Sequence, residues 1–312
     1  MRLGVLLIHG IGDQGPDWAD AIIRSLEQRV LEQLRSLLDQ PPLDAGSVLT
    51  VGRVHWADVL AQPQRELRRI LNRAHASPTA DGSWWHRLLG TVTGALRRQE
   101  SRFIADFIGD VIGYRSPETR QAIYDTITRA LDQLAASPET GVEQAPLTLI
   151  AHSLGSVIAS DYVWDVTKAH RHQGVHDRWR FENFFTVGSP MALFALQYGG
   201  AAAFNKPIAL ESPRGRWVNL YDRDDPIGMP LRPLNAAYRR VVLADAEVRA
   251  GAYLLAHTRY FTNQDTLTII SRKLALDWCA QHDPRSAPRW RDLSAAYDRT
   301  LGLAGVGRPS AR

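Results

Sequence analysis

Three residue types, far apart in the chain, could together turn a hydroxyl into a nucleophile. The first is Ser153 in Leu147-Thr-Leu-Ile-Ala-His-Ser-Leu-Gly-Ser156, where a short apolar strand runs into a serine and then into a helical pattern. A serine held in a strained strand-to-helix turn needs small residues two before and two after it, so that strand and helix can approach closely. Ala151 and Gly155 hold those places, with an alanine methyl where G-x-S-x-G has its first glycine. A serine hydroxyl is a poor nucleophile until a histidine takes its proton and an acid orients that histidine. Arg216-Trp-Val-Asn-Leu-Tyr221 reads as a buried strand that empties into Asp222-Arg-Asp-Asp-Pro-Ile-Gly228. Asp225, directly before the proline, is the candidate acid, and Asp222 and Asp224 are its rivals. His257, in Tyr253-Leu-Leu-Ala-His-Thr-Arg-Tyr260, is the candidate base, just ahead of a helix starting near Thr262.

A fourth element opens the chain: the apolar strand Leu3-Gly-Val-Leu-Leu-Ile8 leads into His9-Gly-Ile-Gly-Asp13. Glycines there let backbone N–H groups point at a ligand, and two such donors stabilise the oxyanion of acyl transfer by several kcal/mol. The expected donors are the backbone amides of Ile11 and Leu154. His9 reads as a brace for the glycine turn, with the role of base as its alternative. A dinucleotide-type phosphate loop is the competing reading, but Gly10 and Gly12 lack the third glycine of G-x-G-x-x-G, which Gly15 misses by one.

The order Ser, Asp, His is that of an α/β-hydrolase, unlike the chymotrypsin or subtilisin arrangements. On these residues the chain resembles a serine esterase or lipase of the α/β-hydrolase superfamily over most of residues 1–282. The segments Asn219 to Leu234 and His152 to Asp161 are similar to motifs of intracellular DDHD-type phospholipases, in which an aspartate before proline and a histidine near a tyrosine complete the site. The resemblance implies an α/β-hydrolase fold and hydrolysis of a carboxylic ester through an acyl-enzyme, with no metal or organic cofactor. Thioester hydrolysis or acyl transfer by the same triad, and a non-catalytic ligand-binding or interaction role for the fold, are the alternatives.

The elements that must position these residues alternate. Asp17 is placed to cap a helix carrying Ile22, Leu26, Val30 and Leu34, and a strand follows around Val48 to Trp56. Ser116-Pro117-Glu118 starts a helix with Ile123, Ile127, Leu131 and Leu134 on one stripe, and Phe181 to Val187 is a further strand. Such alternation predicts an α/β domain with a mostly parallel sheet covered on both faces. Residues 57–115 do not fit the minimal core and read as a helical insertion. Trp84-Trp85 and the stripes Leu88 to Leu96 and Phe103 to Ile112, edged by arginines, suit a lid or cap over an acyl cleft, plain packing, or peripheral membrane contact through residues 84–112. The tail 283–312, rich in proline and arginine, is expected to be loosely attached.

Composition excludes several classes. The net charge of +4 is carried almost wholly by scattered arginines, with Lys168, Lys206 and Lys273 the only lysines, so no nucleic-acid partner is expected. The expected partner is a small-molecule or lipid ester. His170, His172 and His176 lie in a hydrophilic loop without a carboxylate pattern, and no metal site is expected there. Cys279 is the single cysteine, no run reaches the ~18 apolar residues of a membrane span, and the first residues read as a strand; a cytoplasmic setting is expected.

Overall fold

The computed structural model describes residues 1–10, 15–60, 69, 109–136, 144–168 and 173–304. The chain divides into two compact units, one of residues 1–10, 16–54 and 127–312 and the other of residues 11–15 and 55–126. The first unit holds β1 (Leu3–Ile8), α1 (Asp20–Leu37) and β2 (Leu49–Val54); the helix α2 (Pro117–Ala135) crosses into it. It continues with β3 (Ala145–His152), α3 (Leu154–Thr167), α4 (Gln173–Arg178) and β4 (Trp179–Val187), then α5 (Met191–Phe194) and β5 (Trp217–Tyr221). α6 (Ala236–Val241), β6 (Val242–Glu247), α7 (Leu254–Arg259), α8 (Gln264–His282) and α9 (Ala287–Ala304) complete it.

The six strands form one sheet in the order β2-β1-β3-β4-β5-β6, every neighbouring pair parallel. A parallel sheet is covered on both faces, so its inner strands are apolar at successive positions. All six residues of β1 are buried, and so are seven of the eight of β3. On one face Leu3, Val5 and Leu7 join a core with Leu26, Val30 and Leu34 of α1, Ile270 and Leu274 of α8, and Trp290 of α9. On the other, Leu6 and Leu134 of α2 close over Gly52, where an added Cβ would stand 3.2 and 3.5 Å from their side chains. α3 packs on β1, β3 and β4. The architecture is therefore α/β, an all-parallel sheet flanked by helices.

Three sequence expectations need correction. Asp17 does not cap α1 through its side chain: the helix starts at Asp20 after an uncapped Ala19, and Asp17 supplies only its carbonyl, to the Asp20 amide. The stretch from Pro284 to Ala304 is not a loose tail, because α9 buries Trp290, Tyr297 and Leu301, and Asp298 takes a bidentate ion pair from Arg216. β6 is a strand absent from the expected alternation. Its Asp245 is buried and accepts from the Asn219 side chain and from the Leu231 and Arg232 amides, so a carboxylate occupies a place where an apolar residue would announce a strand. Most of the insertion lies outside the described residues, namely 61–68 and 70–108, which hold Trp84, Trp85, the stripe Leu88 to Leu96 and the part of the stripe Phe103 to Ile112 up to Ile108. Among the described residues, no helix is long and apolar enough to cross a membrane.

Candidate active site

Because all strands are parallel, their C-terminal ends share one edge of the sheet. The chain leaves β1 toward β2 on one side, while β3 lies on the other, so the ends of β1 and β3 form a topological switch point, the place where open α/β sheets bind their ligands. His9 and Gly10 follow β1 at this edge, Ser153 follows β3, Gly188 and Ser189 follow β4, and Asp222 to Asp225 follow β5. The loop after β6 leads into α7 with His257.

Ser153 has φ 52° and ψ −132°, a region that non-glycine residues enter at a cost of about 1–3 kcal/mol. Its neighbours over-determine that conformation. The Ser153 amide donates to Val187 O at 2.9 Å, and its carbonyl accepts from the Ser156 hydroxyl at 2.6 Å. The Ser156 proton is thereby committed, so in the 2.7 Å contact with Ser189 the Ser189 hydroxyl donates. Gly155 is required sterically, since a Cβ there would stand 2.2 Å from the carbonyl oxygen of His9. Ala151 is fully buried, in register with Ile8 of β1 and Thr186 of β4.

The structure brings Ser153, His257 and Asp225 together. Ser153 Oγ lies 2.8 Å from His257 Nε2, and His257 Nδ1 lies 2.8 Å from Asp225 Oδ2. Asp225 is 5% exposed, His257 1% and Ser153 0%, so the contacts act in a dry, low-dielectric setting. Burial alone would push the Asp225 carboxyl up; the hydrogen bond and charge of His257, with the Ile227 and Gly228 amides, outweigh it and hold the group below the usual range. An ionised carboxylate only accepts, so His257 carries a proton on Nδ1, and in the neutral ring Nε2 is then bare and accepts from the serine hydroxyl. That is the tautomer a general base needs.

Asp225 also accepts from the Tyr260 hydroxyl at 2.8 Å and from the Ile227 amide at 2.9 Å. Burial first, then the Asp225 charge, pushes the Tyr260 phenol far up, so it stays a donor. The same hydroxyl accepts from the Asp222 amide. Space around the acid is exhausted: a Cβ at Gly228 would stand 2.5 Å from Asp225 Oδ2, and one at Gly188, which has φ +56°, would stand 2.6 Å from the Tyr260 ring. The rival aspartates do not reach the imidazole. Asp222 accepts from the amides of Asp224, Ala250 and Gly251, tying the β5 loop to the approach to α7, and Asp224 is exposed.

Of the expected oxyanion donors, Leu154 stands at the first position of α3, where an amide has no intrahelical acceptor. Ile11 lies outside the described residues, as do His170 and His172, and nothing is described of the His176 side chain. His9 donates from Nδ1 to the Gly10 carbonyl at 2.6 Å and meets the Trp18 ring edge-on.

Sequence reasoning did not single out the contacts of His152, Tyr260, Ser156 and Ser189. The signals were faint: a glycine and a serine at the end of β4, and a tyrosine three residues after His257. In comparisons with known proteins, the chain matches no family model and no curated protein.

Proposed function

We propose that the protein is a serine hydrolase of carboxylic esters with an α/β-hydrolase fold, working through Ser153, His257 and Asp225. One observation carries the proposal: a backbone-strained serine at a strand-to-helix turn, hydrogen-bonded to an imidazole whose other nitrogen is fixed by a buried carboxylate. His257 Nε2 takes the proton as Ser153 Oγ attacks the ester carbonyl. Asp225 keeps the tautomer and stabilises the imidazolium, and Tyr260 and the Ile227 amide hold Asp225 in place. The Leu154 amide, at the positive end of a 14-residue helix, receives the developing oxyanion together with the Ile11 backbone expected from the sequence. The imidazolium then protonates the leaving alcohol, and water activated by the same histidine releases the acid.

The strand order, with the serine at the reversal between β1 and β3, supports the fold assignment. An apolar or lipid-like acyl group, peripheral membrane contact by residues 84–112 and a cytoplasmic setting are the further parts of the proposal, and they rest on the sequence. Initial rates on p-nitrophenyl esters of graded acyl length, with and without liposomes, test it. Saturable turnover that Ser153→Ala abolishes is expected, rising with chain length. Equal rates for wild type and Ser153→Ala would overturn the hydrolase reading, and rates indifferent to chain length and liposomes would remove the lipid-like substrate.

A further inference from the structure

We propose that His152 is a positioning residue for the base: its imidazole N–H holds the backbone carbonyl of His257, fixing the helix that carries the base relative to the neighbouring nucleophile. The inference rests on the serine-hydrolase reading above and adds a residue to it. His152 is the last residue of β3 and precedes Ser153 in the chain, yet its Nε2 lies 2.7 Å from the carbonyl oxygen of His257, 105 residues away. A carbonyl can only accept, so Nε2 carries the proton. A neutral ring then leaves Nδ1 bare, and that nitrogen faces Gly10, where an added Cβ would stand only 2.9 Å away.

The ring's surroundings keep it neutral. Burial first, then the charge of a protonated His257, brings its pKa down to about 3; the hydrogen bond to the His257 carbonyl and the charge of Asp225 pull the other way, and His9 adds to the depression. His152 therefore remains a one-proton donor wherever the base works. It is fixed among aromatic neighbours, with the rings of His257, Tyr260 and Phe261 at 4.9, 6.0 and 5.9 Å.

The anchored element needs an anchor. α7 has six residues and opens at Tyr253, a non-glycine residue with φ 49° and ψ −133°, a conformation that persists only where surrounding contacts impose it. His257 lies in the last turn of this helix, where side-chain donors often complete the capping of carbonyls. The Ser153–His257 contact spans 104 residues, and from the base's side it is aligned by Asp225 through the ring and by His152 through the backbone. Two points of attachment fix an orientation that one leaves free to swing.

The test compares His152→Gln, His152→Asn and His152→Leu with wild type. A glutamine amide nitrogen reaches about as far as Nε2, an asparagine amide falls short, and leucine has no donor. Misplacing reacting groups by about 1 Å costs on the order of 100-fold in rate. For a p-nitrophenyl ester, the asparagine and leucine variants are expected to lose roughly 10- to 100-fold in kcat with KM within about twofold, and to label with a fluorophosphonate correspondingly more slowly. The glutamine variant is expected to recover most of kcat. Wild-type kcat in both the asparagine and leucine variants would overturn the proposal. So would an equal loss in all three that follows their thermal midpoints, since that marks a packing residue. Imidazole nitrogen shifts of the wild type give a reading independent of variant folding: the Nε2–H tautomer at pH 5–8 is expected, and an Nδ1–H tautomer refutes the anchor. A wild type that neither turns over nor labels removes the parent reading instead, an outcome distinct from any difference among the variants.

Discussion

The substitution Gly155→Ala sets two known effects against each other at one methyl group. In a helix interior alanine is favoured over glycine by about 1 kcal/mol, so on an exposed face the change would stabilise the protein. At position 155 the new Cβ would stand 2.2 Å from the His9 carbonyl oxygen and 3.0 Å from both the His9 carbonyl carbon and the Ile8 oxygen. All three are backbone atoms of β1 and its exit, so no rotamer change relieves the overlap. Reaching ordinary contact at 3.4 Å requires about 1.2 Å of movement by helix or strand. Overpacking of this kind costs about 1–3 kcal/mol, which outweighs the propensity gain. Since Ser153 caps the displaced helix, the hydroxyl moves with it, and a shift near 1 Å lowers the rate about 100-fold. Urea denaturation and the second-order rate of fluorophosphonate labelling read the two consequences separately. Ala151→Gly is the control: it loses a buried methyl, about 0.8 kcal/mol, and adds a glycine entropy cost of about 0.5–1 kcal/mol, yet should keep labelling within a few-fold. A Gly155→Ala protein as stable and as reactive as wild type would refute the steric argument for the elbow.

Tyr260→Phe removes a donor from Asp225 and leaves the buried Asp222 amide unpaired, so a loss of about 2–5 kcal/mol in chemical denaturation is expected; kcat should fall with it. On the far side of the sheet, the buried Lys273 pairs with Asp277, whose carboxyl burial pushes up and Lys273 pulls back. Lys273→Met alone should cost about 3–5 kcal/mol, and adding Asp277→Leu should recover part of that, which a double-mutant cycle measures. The depressed Asp225 carboxyl sets a pH dependence. Its folded pKa is below the unfolded value of about 3.9, so its stabilisation is present above that pH and is lost as pH falls through the folded value. The stability gap between wild type and Asp225→Asn should therefore shrink as pH falls below about 4.

What could be read from the sequence follows from how each contact is encoded. β1 and β3 are largely apolar runs that pass into His9-Gly10 and His152-Ser153, Asp225 lies in the loop after β5, and His257 stands shortly before a long helix, so the order Ser153, Asp225, His257 is carried by local signals. β6 and α9 were hidden for opposite reasons. β6 spends a strand position on Asp245, whose partners come from β5 and from the loop at Leu231 and Arg232. α9 looked like a tail because Pro288 and its arginines resemble linker composition. Yet a proline in the first turn of a helix forfeits no hydrogen bond, and Trp290, Tyr297 and Leu301 recur at helical spacing toward the core. The supporting polar contacts of the site, His152 to the His257 carbonyl, Tyr260 to Asp225 and Ser156 to Ser189, join residues 105, 35 and 33 apart. No spacing rule links such pairs; only the sheet's parallel order brings them to one edge.

That one hydroxyl at this edge is activated can be tested by incubating the folded wild type and Ser153→Ala with a fluorophosphonate and recording intact mass, then mapping the modified peptide. One added phosphonyl group on Ser153 of the wild type, and none on the alanine variant, is expected. A folded wild type that stays unmodified, or a label that persists when Ser153 is gone, would contradict it.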